Sequence, residues 1–128
     1  MTTLPYKELL SGDAPHKPLM KKKKRQGGRN AFGRITTRHQ GGGHKRRLRD
    51  IDFSYDKKDI PAKIETVEYD PFRSAFIGLA LYRDGARRYV IVPKEVKVGD
   101  SFIVSAVAPL TPGNRLPLGS IPVGTFVY

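Results

Sequence analysis

The stretch AFIGLALYRDGARRYVIV, residues 75–92, decides the fold of this chain. Its beginning, AFIGLALY, is a nearly continuous apolar run, which is typical of a strand buried on both faces. Arg83-Asp84-Gly85 follows, and RRYVIV at residues 87–92 gives a second strand-like run. An Asp-Gly pair between two such runs is the strongest short signal of a β-hairpin with a type I′ turn. The stretch therefore predicts two antiparallel strands.

Further strand patterns flank this hairpin. Before it, residues 51–55 alternate apolar with polar side chains, and residues 62–69 (AKIETVEY) are rich in strand-forming types. After it, residues 101–107 (SFIVSAV) give another strand pattern, and a proline-rich loop follows at residues 109–117. Short strands at roughly ten-residue spacing, separated by Pro and Gly, predict an all-β fold built around a small closed β-barrel.

The two ends of the chain are predicted to be less regular. Residues 1–20 contain proline breaks and a Ser-Gly-Asp turn, which predicts an irregular segment with at most one helical turn at residues 6–10. A flexible terminus is the plainest interpretation of that segment. Residues 121–128 (IPVGTFVY) begin one more extended segment.

The charge of the chain is concentrated in one segment, residues 21–49, which we call the basic arm. The whole chain carries 24 Lys and Arg against 12 Asp and Glu, a net charge of +12. The basic arm holds twelve basic residues and no acidic one, and the rest of the chain is neutral by count. With only four clearly apolar side chains, the arm cannot offset the entropy of ordering a core. We therefore expect it to be irregular and extended, taking its shape from a bound partner.

This dense positive charge points to a polyanion as that partner, because phosphates would relieve the repulsion between like charges. Arginine makes planar, bidentate contacts to phosphate, and glycine lets a backbone approach a sugar–phosphate chain closely. The Gly41-Gly42-Gly43 run between His39 and His44 is therefore predicted to bring main-chain N–H groups to a nucleic-acid backbone. A solvated linker or a localisation signal is the plainer alternative.

The sequence offers little for other chemistry. The absence of cysteine excludes disulfides, cysteine-ligated zinc and thiol nucleophiles, and no apolar run approaches the ~18 residues of a membrane span. Gly43 is followed by neither the Lys-Ser/Thr pair nor the helix of a P-loop, and the arm's histidines have no nearby carboxylate for a metal site. Asp50 and Asp52 are expected to neutralise the adjacent arm. We expect no enzyme activity, cofactor, metal or small-molecule substrate, and no membrane association.

The predicted barrel carries two further basic features. Arg73 follows a turn at residues 70–72 and precedes a buried strand, so the turn would present it to solvent for contact with RNA. Arg83, Arg87 and Arg88 cluster at the Asp-Gly hairpin. Ordinary surface charge is the plainer interpretation of that second group.

Three segments together resemble one protein family. They are GRNAFGRITTRHQGGGHKRRLRDIDF at residues 28–53, IPAKIETVEYDPFRSAFIGLALYRDGARRYVIVP at residues 60–93 and PGNRLPLGSIPVGT at residues 112–125. In this order they closely resemble the bacterial type of the large-subunit ribosomal protein L-two family. The likeness runs from about residue 21 to the end of the chain, and the combination of motifs is highly specific.

The resemblance implies a fold and a function. It implies an irregular arm over residues 1–49, basic and RNA-binding from residue 21, an OB-type RNA-binding barrel over residues 50–116, and the start of an incomplete SH3-like barrel over residues 117–128. It also implies a structural protein of the large ribosomal subunit that binds its RNA, helps assemble the peptidyl-transferase region and supports subunit association in translation. The candidate RNA-binding residues are Arg29, Arg34, Arg38, His39, Gly41, Gly42, Gly43, His44, Lys45, Arg46, Arg47, Arg49, Arg73 and Arg88.

The chain departs from the family pattern at both ends. Members have a further basic stretch before the position of Met1 and continue past Tyr128 through the SH3-like barrel. The departure predicts a fragment or one product of a split protein, whose partners are large-subunit ribosomal RNA, other ribosomal proteins and a second chain supplying the C-terminal half. The expected location is the ribosome, in the cytoplasm or an organelle.

The main alternative is a free-standing OB-type protein that binds single-stranded nucleic acid. Such a protein needs aromatic platforms on its barrel face, on which bases can stack. The aromatic residues that could provide them are Tyr69, Phe76, Tyr82, Tyr89 and Phe102.

Overall fold

The computed structural model describes residues 6–12, 14–22, 25–94 and 96–127 of the chain. Among these residues the structure is mostly β, with one turn of α-helix and two single turns of 3-10 helix. The elements in chain order are α1 (Tyr6–Leu9), a 3-10 turn (Lys17–Leu19), β1 (Met20–Lys21), β2 (Leu48–Arg49), β3 (Ala62–Glu68), β4 (Ile77–Tyr82), β5 (Arg87–Ile91), β6 (Ser101–Phe102) and a 3-10 turn (Leu118–Ser120). The predicted β class is confirmed.

Four strands form one antiparallel sheet in the order β5-β4-β3-β6. β3 and β4 make the longest ladder, with an irregularity between Ile64 and Thr66 that bends β3. β4 pairs along its length with β5, whereas β6 pairs only with the beginning of β3. In the described part of the chain no ladder joins β5 to β6. The sheet is therefore a half-barrel, consistent with an OB-like domain, rather than the closed barrel that the strand spacing predicts.

β4 lies inside the sheet and is buried on both faces. Ala80 and Tyr82 join the larger core cluster with side chains from β3, β5 and β6. Ile77 and Leu79 pack instead with Tyr89 in a second cluster. Successive side chains of a strand point to opposite faces of the sheet, so one apolar run supplies two cores. Burial of each large side chain contributes about 1.5–3 kcal/mol, and the prediction of a doubly buried strand is confirmed.

β4 and β5 are joined by the predicted hairpin, but its turn is of a different type. Of the loop residues 83–85 only Gly85 has a positive φ, 84°, whereas a type I′ turn needs positive φ at both central residues. The N–H of Gly85 donates to the carbonyl of Tyr82, and the N–H of Tyr82 donates to the carbonyl of Ala86. The loop thus has three residues, with glycine in the left-handed position. The Asp84 carboxylate accepts the N–H of Ala86 and supports this longer loop.

Residues 51–55 do not form the strand that their alternation predicts. They make a single parallel bridge, to Tyr89 of β5. The Asp52 carboxylate accepts hydrogen bonds from the N–H groups of Ser54 and Tyr55, and Tyr55 has a positive φ of 47°. A side chain that captures neighbouring N–H groups competes with a sheet ladder. The chain therefore turns where the pattern predicts a strand.

The strand predicted at residues 101–107 is shorter than expected, because only β6 pairs with β3. Beyond β6 the chain is held by the following loop instead. The N–H of Ile103 donates to the side-chain oxygen of Asn114 at 2.9 Å, and the N–H of Arg115 donates to the carbonyl of Ile103. A loop thus satisfies the backbone groups that a strand neighbour would otherwise satisfy.

The extended segment predicted at residues 121–128 contains no strand over its described part, residues 121–127, and a 3-10 turn precedes it. Its apolar side chains are exposed, those of Val123 and Phe126 almost fully. A β-strand exists by pairing with a neighbour, and none of the described strands pairs with this segment.

The segment before β1 packs on the sheet. The predicted helical turn forms as α1 and places Tyr6 edge-on against Tyr69 and Phe76, with ring centroids 5.8 and 5.7 Å apart. The N–H of Ser11 donates to the carbonyl of Val67, and its hydroxyl accepts the N–H of Val67. These bonds cover part of the β3 edge that β6 leaves open. This segment is therefore part of the folded unit, unlike the flexible terminus that its composition suggests.

Candidate nucleic-acid interface

The basic arm is a loop that doubles back on itself. β1 and β2 pair antiparallel at its base, and an antiparallel bridge joins Arg29 to Ile35 near its tip. Between these points Arg25 contacts residues 42–44 across the loop. The structure corrects the expectation of an extended arm. Pairing through backbone groups needs no apolar core, and for that reason the composition of the arm does not reveal it.

Gly28 holds the outer part of the arm together. Its carbonyl accepts hydrogen bonds from the N–H groups of Thr36 and Thr37 and from the hydroxyl of Thr36. Its φ is +72°, and a Cβ built at this position would lie 2.1 Å from the carbonyl oxygen of Thr37. Only glycine both adopts this positive φ without strain and has no Cβ to collide with that oxygen. Among the described residues of the arm, Gly28 is the one that is buried.

The tip of the arm is a tight turn around Asn30. The side-chain oxygen of Asn30 accepts the N–H groups of Phe32 and Arg34, both at 3.0 Å. The N–H of Asn30 in turn donates to the carbonyl of Arg34 at 2.9 Å. This turn leaves the ring of Phe32 88% exposed. An exposed aromatic ring among arginines is suited to stacking on a nucleic-acid base.

The glycine run of the arm is organised by Arg25. The guanidinium of Arg25 donates to the carbonyls of Gly42 at 2.8 Å, Gly43 at 3.2 Å and His44 at 2.6 Å. The three successive glycines that begin at Gly41 all have positive φ, between 66° and 126°, a conformation that residues with a Cβ rarely adopt. No backbone N–H of residues 38–47 donates to another described residue. Within the described part of the chain these N–H groups thus lack an acceptor, which is what a site for an external acceptor requires.

Most basic side chains that the structure describes in the arm have no partner in the described part of the chain. The exposed side chains that make no ion pair or hydrogen bond with any described residue include those of Arg29, Arg34, Arg38, Lys45 and Arg47. Lys21 pairs with Asp50 at 2.8 Å, which is the one ion pair that the described residues of the arm make. Asp50 therefore neutralises part of the arm, as predicted.

The two histidines of the arm lie on exposed backbone. His39 has a positive φ of 60°. Nδ1 of His44 lies 3.0 Å from the carbonyl oxygen of Lys45, to which it donates when that nitrogen carries the proton. Both rings are exposed and accessible to a stacking base.

Arg46 fixes the arm to the sheet domain at a second place. Its Nη1 donates to the carbonyl of Pro71 at 3.1 Å. Its guanidinium also lies over the ring of Phe72, 4.7 Å from the centroid. Residues 38–47, which lead from the tip of the arm back to β2, form its returning limb. Arg46 thereby holds this limb against the loop that connects β3 to β4.

Arg73 lies in that same loop. Its guanidinium lies over the ring of Phe53, 5.3 Å from the centroid, and its Nε is 3.7 Å from the fully buried carboxylate of Asp70. Asp70 also accepts the N–H of Phe72 at 3.1 Å, which fixes the turn. The side chain of Arg73 keeps 28% of its surface exposed. The turn therefore presents it to solvent only in part.

Arg49 lies half-buried at the base of the arm, beside a buried polar network. Its Nη1 donates to the carbonyl of Arg47 at 3.1 Å, and its Nε is buried with no hydrogen bond to a described residue. The hydroxyl of Tyr89 donates to the carboxylate of Glu68 at 3.0 Å and accepts the N–H of His16 at 2.8 Å. Burial raises the pKa of Tyr89 to about 12, with the Arg49 charge acting in the opposite direction. The base of the arm therefore lies beside a hydrogen-bonded network that joins β3, β5 and the segment before β1.

Two cations of the hairpin, Arg87 and Arg88, are paired with acids, unlike most of those in the arm. Arg88 donates to Asp52 at 2.6 Å and also to Asp56, and these bonds raise its pKa. Arg87 forms a two-pronged pair with Glu65, at 2.7 and 3.0 Å, which lowers the pKa of Glu65. The expectation that Asp52 neutralises the arm is wrong, because its partner is Arg88. Of the candidate RNA-binding residues, Arg88 is the least available to a phosphate.

The sheet offers little aromatic surface for stacking single-stranded nucleic acid. Tyr82, Tyr89 and Phe102 are buried in the core. Phe76 is half-buried, and both it and the exposed Tyr69 are contacted by the tyrosine of α1. The alternative of an OB-type single-strand binder therefore loses most of the platforms that it requires.

Other kinds of site find no support in the described residues. Within them, no group of three or more His, Cys, Asp or Glu side chains could hold a metal ion. Asp50 and Asp52, the nearest pair of acids to the arm, are engaged by different cations, Lys21 and Arg88. No helix in this part of the chain has the length and apolar character needed to cross a membrane.

Three residues that shape the arm were not predicted as functional: Arg25, Gly28 and Asn30. The sequence contains a partial signal for two of them, because a glycine pair and an Asn three residues before Gly33 both mark turns. Arg25 has no local signal, since its carbonyl partners lie 17 to 19 residues away.

Comparison with known proteins agrees with the motifs. Residues 16–105 match the family described as Ribosomal Proteins L2, RNA binding N-terminal domain. Over 114 residues, 89% of this chain, the sequence is 60% identical to the large ribosomal subunit protein uL2 of Thioalkalivibrio sulfidiphilus (strain HL-EbGR7). Over 121 residues, 94% of this chain, it is 54% identical to the protein of that name from Buchnera aphidicola subsp. Acyrthosiphon pisum (strain Tuc7).

These alignments cover 42% and 44% of the two relatives, so the chain spans less than half the length of the curated relatives it matches. The family is one of structural ribosomal proteins, which agrees with the expectation that the chain is not an enzyme. The chain belongs to the ribosomal protein L2 family and corresponds to its RNA-binding N-terminal domain.

Proposed function

We propose that the chain binds large-subunit ribosomal RNA, with the basic arm as its main contact surface. The observation that carries this proposal is the set of exposed cations of the arm that have no partner among the described residues. Charges that no acid of the described residues neutralises can displace the counterions of an RNA backbone, which is the main source of affinity in such complexes.

The sheet has a different part in this proposal. It holds the base of the arm, next to the β1–β2 pair, through Leu19 and Ile51, which pack on its second core cluster, and it holds the returning limb through Arg46. Arg73 adds an RNA contact beside that second attachment, where Phe53 and Asp70 restrict its side chain. The full contact set is the one predicted from the sequence, and within it Arg88 contributes least, since two carboxylates already bind it.

The finer organisation is also part of the proposal. Residues 1–49 are the arm region, residues 50–116 complete an OB-type barrel of which the half-barrel is the ordered sheet, and residues 117–128 begin an SH3-like barrel. The exposed apolar side chains of the last segment support the view that it packs against further protein, either more of the same chain or a second chain. Family membership supports a location in the ribosome, contacts with other ribosomal proteins, and roles in assembling the peptidyl-transferase region and in subunit association.

The proposal is tested by hydroxyl-radical protection of large-subunit ribosomal RNA. The chain is compared with a variant in which a short Gly-Ser linker replaces residues 25–47 and joins β1 to β2. We expect protected RNA positions with the complete chain and the loss of most of them with the variant. A protection pattern that does not change would contradict the assignment of the arm.

The salt dependence of binding gives a second measure. If the arm neutralises ~6–10 phosphates, log K falls with log salt concentration with a slope of roughly −5 to −9. A slope near zero excludes an interface of this kind. Equal affinity for short unstructured oligonucleotides and for folded ribosomal RNA would favour the single-strand binder instead.

A further inference from the structure

The carbonyl groups and the N–H groups of the returning limb, residues 38–47, are in different situations. Arg25 binds three successive carbonyl oxygens, those of residues 42–44. The N–H groups of residues 38–47 donate to no described residue. Within the described part of the chain, three successive carbonyl oxygens of the limb are thus bound from inside the loop, whereas its N–H groups have no acceptor.

Close approach of the two limbs makes this arrangement possible. A Cβ built on Gly27 would lie 3.9 Å from the Cα of Gly41, and one built on Gly43 would lie 3.5 Å from Nη1 of Arg25. The side chain of Arg25 can therefore reach across the loop to three carbonyl groups. Both Gly27 and Gly41 have positive φ, so a residue with a Cβ at either position would strain the loop.

An anion meets a mixed surface when it approaches a bare loop, because carbonyl oxygens repel it and N–H groups attract it. A guanidinium that gathers the carbonyls removes the repulsive part. We propose that Arg25 is a positioning residue that folds residues 41–45 so that their N–H groups and the ammonium of Lys45 face RNA phosphates. Arg25 does not itself contact the RNA. This inference rests on the proposed function.

The geometry needs arginine in particular. Guanidinium carries five N–H donors in a rigid plane and can bind several carbonyls at once, whereas the ammonium of lysine is a compact and strongly hydrated charge. The side chain of Arg25 uses both terminal nitrogens, Nη1 for Gly42 and Gly43 and Nη2 for His44. Lysine would keep the charge and lose most of this network.

The experiment compares Arg25→Lys, Arg25→Gln and the control Lys22→Gln, all in the full chain. Lys22 is an exposed cation of the same limb with no partner among the described residues, so its substitution removes the same charge without removing the network. Binding to a large-subunit ribosomal RNA fragment is measured over a range of salt concentrations. Backbone ¹⁵N relaxation of residues 41–45 is measured without RNA.

We expect Arg25→Gln and Arg25→Lys to lower the affinity at every salt concentration by about tenfold or more, with little change of the salt slope, because the loop must then be ordered on binding. Lys22→Gln should make the slope shallower by about 0.7–0.9 if Lys22 meets a phosphate. Residues 41–45 should become flexible on the nanosecond timescale in both Arg25 variants and stay rigid in Lys22→Gln.

Wild-type affinity in Arg25→Lys would overturn the inference, and so would a slope change in Arg25→Gln equal to that in Lys22→Gln with unchanged loop dynamics. If the wild-type chain fails to bind ribosomal RNA, the proposed function fails. The relaxation measurement on the free protein would then still decide whether Arg25 orders the loop.

Discussion

The basic arm and the sheet use the same residue type in opposite ways. In the sheet, Arg87 and Arg88 are bound by carboxylates, and the pKa of Glu65 is lowered by its hydrogen bonds to Arg87. In the arm, arginines such as Arg34 and Arg38 face solvent without a partner among the described residues. These two sheet arginines are neutralised internally, whereas the arginines of the arm are left for an external anion. A net charge of +12 therefore describes the arm rather than the molecule.

Removing equal numbers of positive charges from the arm and from the rest of the chain should give the largest difference, which is a difference in the salt dependence of RNA binding. The arm variant changes Arg29, Arg34, Arg38, Lys45 and Arg47 to Gln. The control variant changes five exposed cations outside the arm to Gln, namely Lys58, Lys63, Arg83, Lys94 and Lys97. Five phosphate contacts contribute roughly 3.5–4.5 to the slope of log K against log salt concentration. We therefore expect the slope of the arm variant to become shallower by about that amount. The slope of the control variant should change by less than half of it. Equal losses, measured by filter binding, would show that the two regions do not differ.

Gly28→Ala should damage the arm and spare the sheet. A Cβ at this position meets the carbonyl oxygen of Thr37 at 2.1 Å, and the positive φ adds strain. The outer part of the arm should open, and affinity for ribosomal RNA should fall about tenfold or more because the arm must be ordered on binding. Since the arm buries almost nothing, the urea midpoint of the sheet should stay unchanged. A lowered midpoint would mean that the arm supports the sheet.

Gly78→Ala should destabilise the sheet and leave the arm intact. Gly78 lies in β4, and a Cβ there would lie 2.7 Å from Cγ1 of Val92 and 3.2 Å from Cδ1 of Ile64 in the core. Overpacking of this kind destabilises a domain by about 1–3 kcal/mol. We expect a lower urea midpoint and, under conditions where the protein stays folded, unchanged RNA affinity. An affinity loss without a stability loss would place this strand in the interface.

Arg88→Gln should weaken the sheet by less. It removes the cation from Asp52, whose side chain is only 9% exposed, and loss of a hydrogen bond to a charged group costs about 1.5–3 kcal/mol when the group is buried. Arg87→Gln is the control, because its partner Glu65 is more exposed and solvent screens the pair, so the loss of stability should be smaller. RNA affinity should change little in either variant. A large affinity loss in Arg88→Gln alone would identify Arg88 as an RNA contact.

Alkaline pH should weaken the sheet only above pH 10. Burial raises the pKa of Tyr89 to about 12 and also raises that of Tyr82, whereas an unfolded tyrosine ionises near ~10. The stability that neutral tyrosine provides is therefore complete below pH 10 and is lost as the pH rises toward 12. Urea midpoints and tyrosinate absorbance measured over this range test the effect. The basic arm contains no tyrosine, so the absorbance reports on the rest of the chain.

The central strands could be predicted because their information is local. The apolar run of β4 and the Asp-Gly signal lie within one short stretch, and the hairpin follows from them. The turn type could not be predicted, since Asp84 captures the N–H of Ala86 and lengthens the loop. Asp52 misleads in the same way, because its carboxylate bends a segment that alternates like a strand.

For the candidate interface, too, one part could be predicted from the sequence and another could not. Charge and glycine content located it within the chain, and both are properties of composition. Its shape could not be predicted, because the contacts that fold it join distant residues. Arg25 reaches residues 42–44, and β1 pairs with β2 across the whole arm. Such pairings carry no periodic pattern that a local reading can detect.

The attachment of the arm at both ends has a topological consequence. Leu19 and Ile51 pack together on one core cluster, and the N–H of Asp50 donates to the carbonyl of Leu19. A segment tethered in this way is a closed ring rather than a tail. It can be laid against the surface of folded RNA, but no strand can pass through it unless its base opens. A complex in which an RNA strand passes through this ring would have to form before the base of the arm closes. The fold itself would therefore constrain the order of the assembly steps.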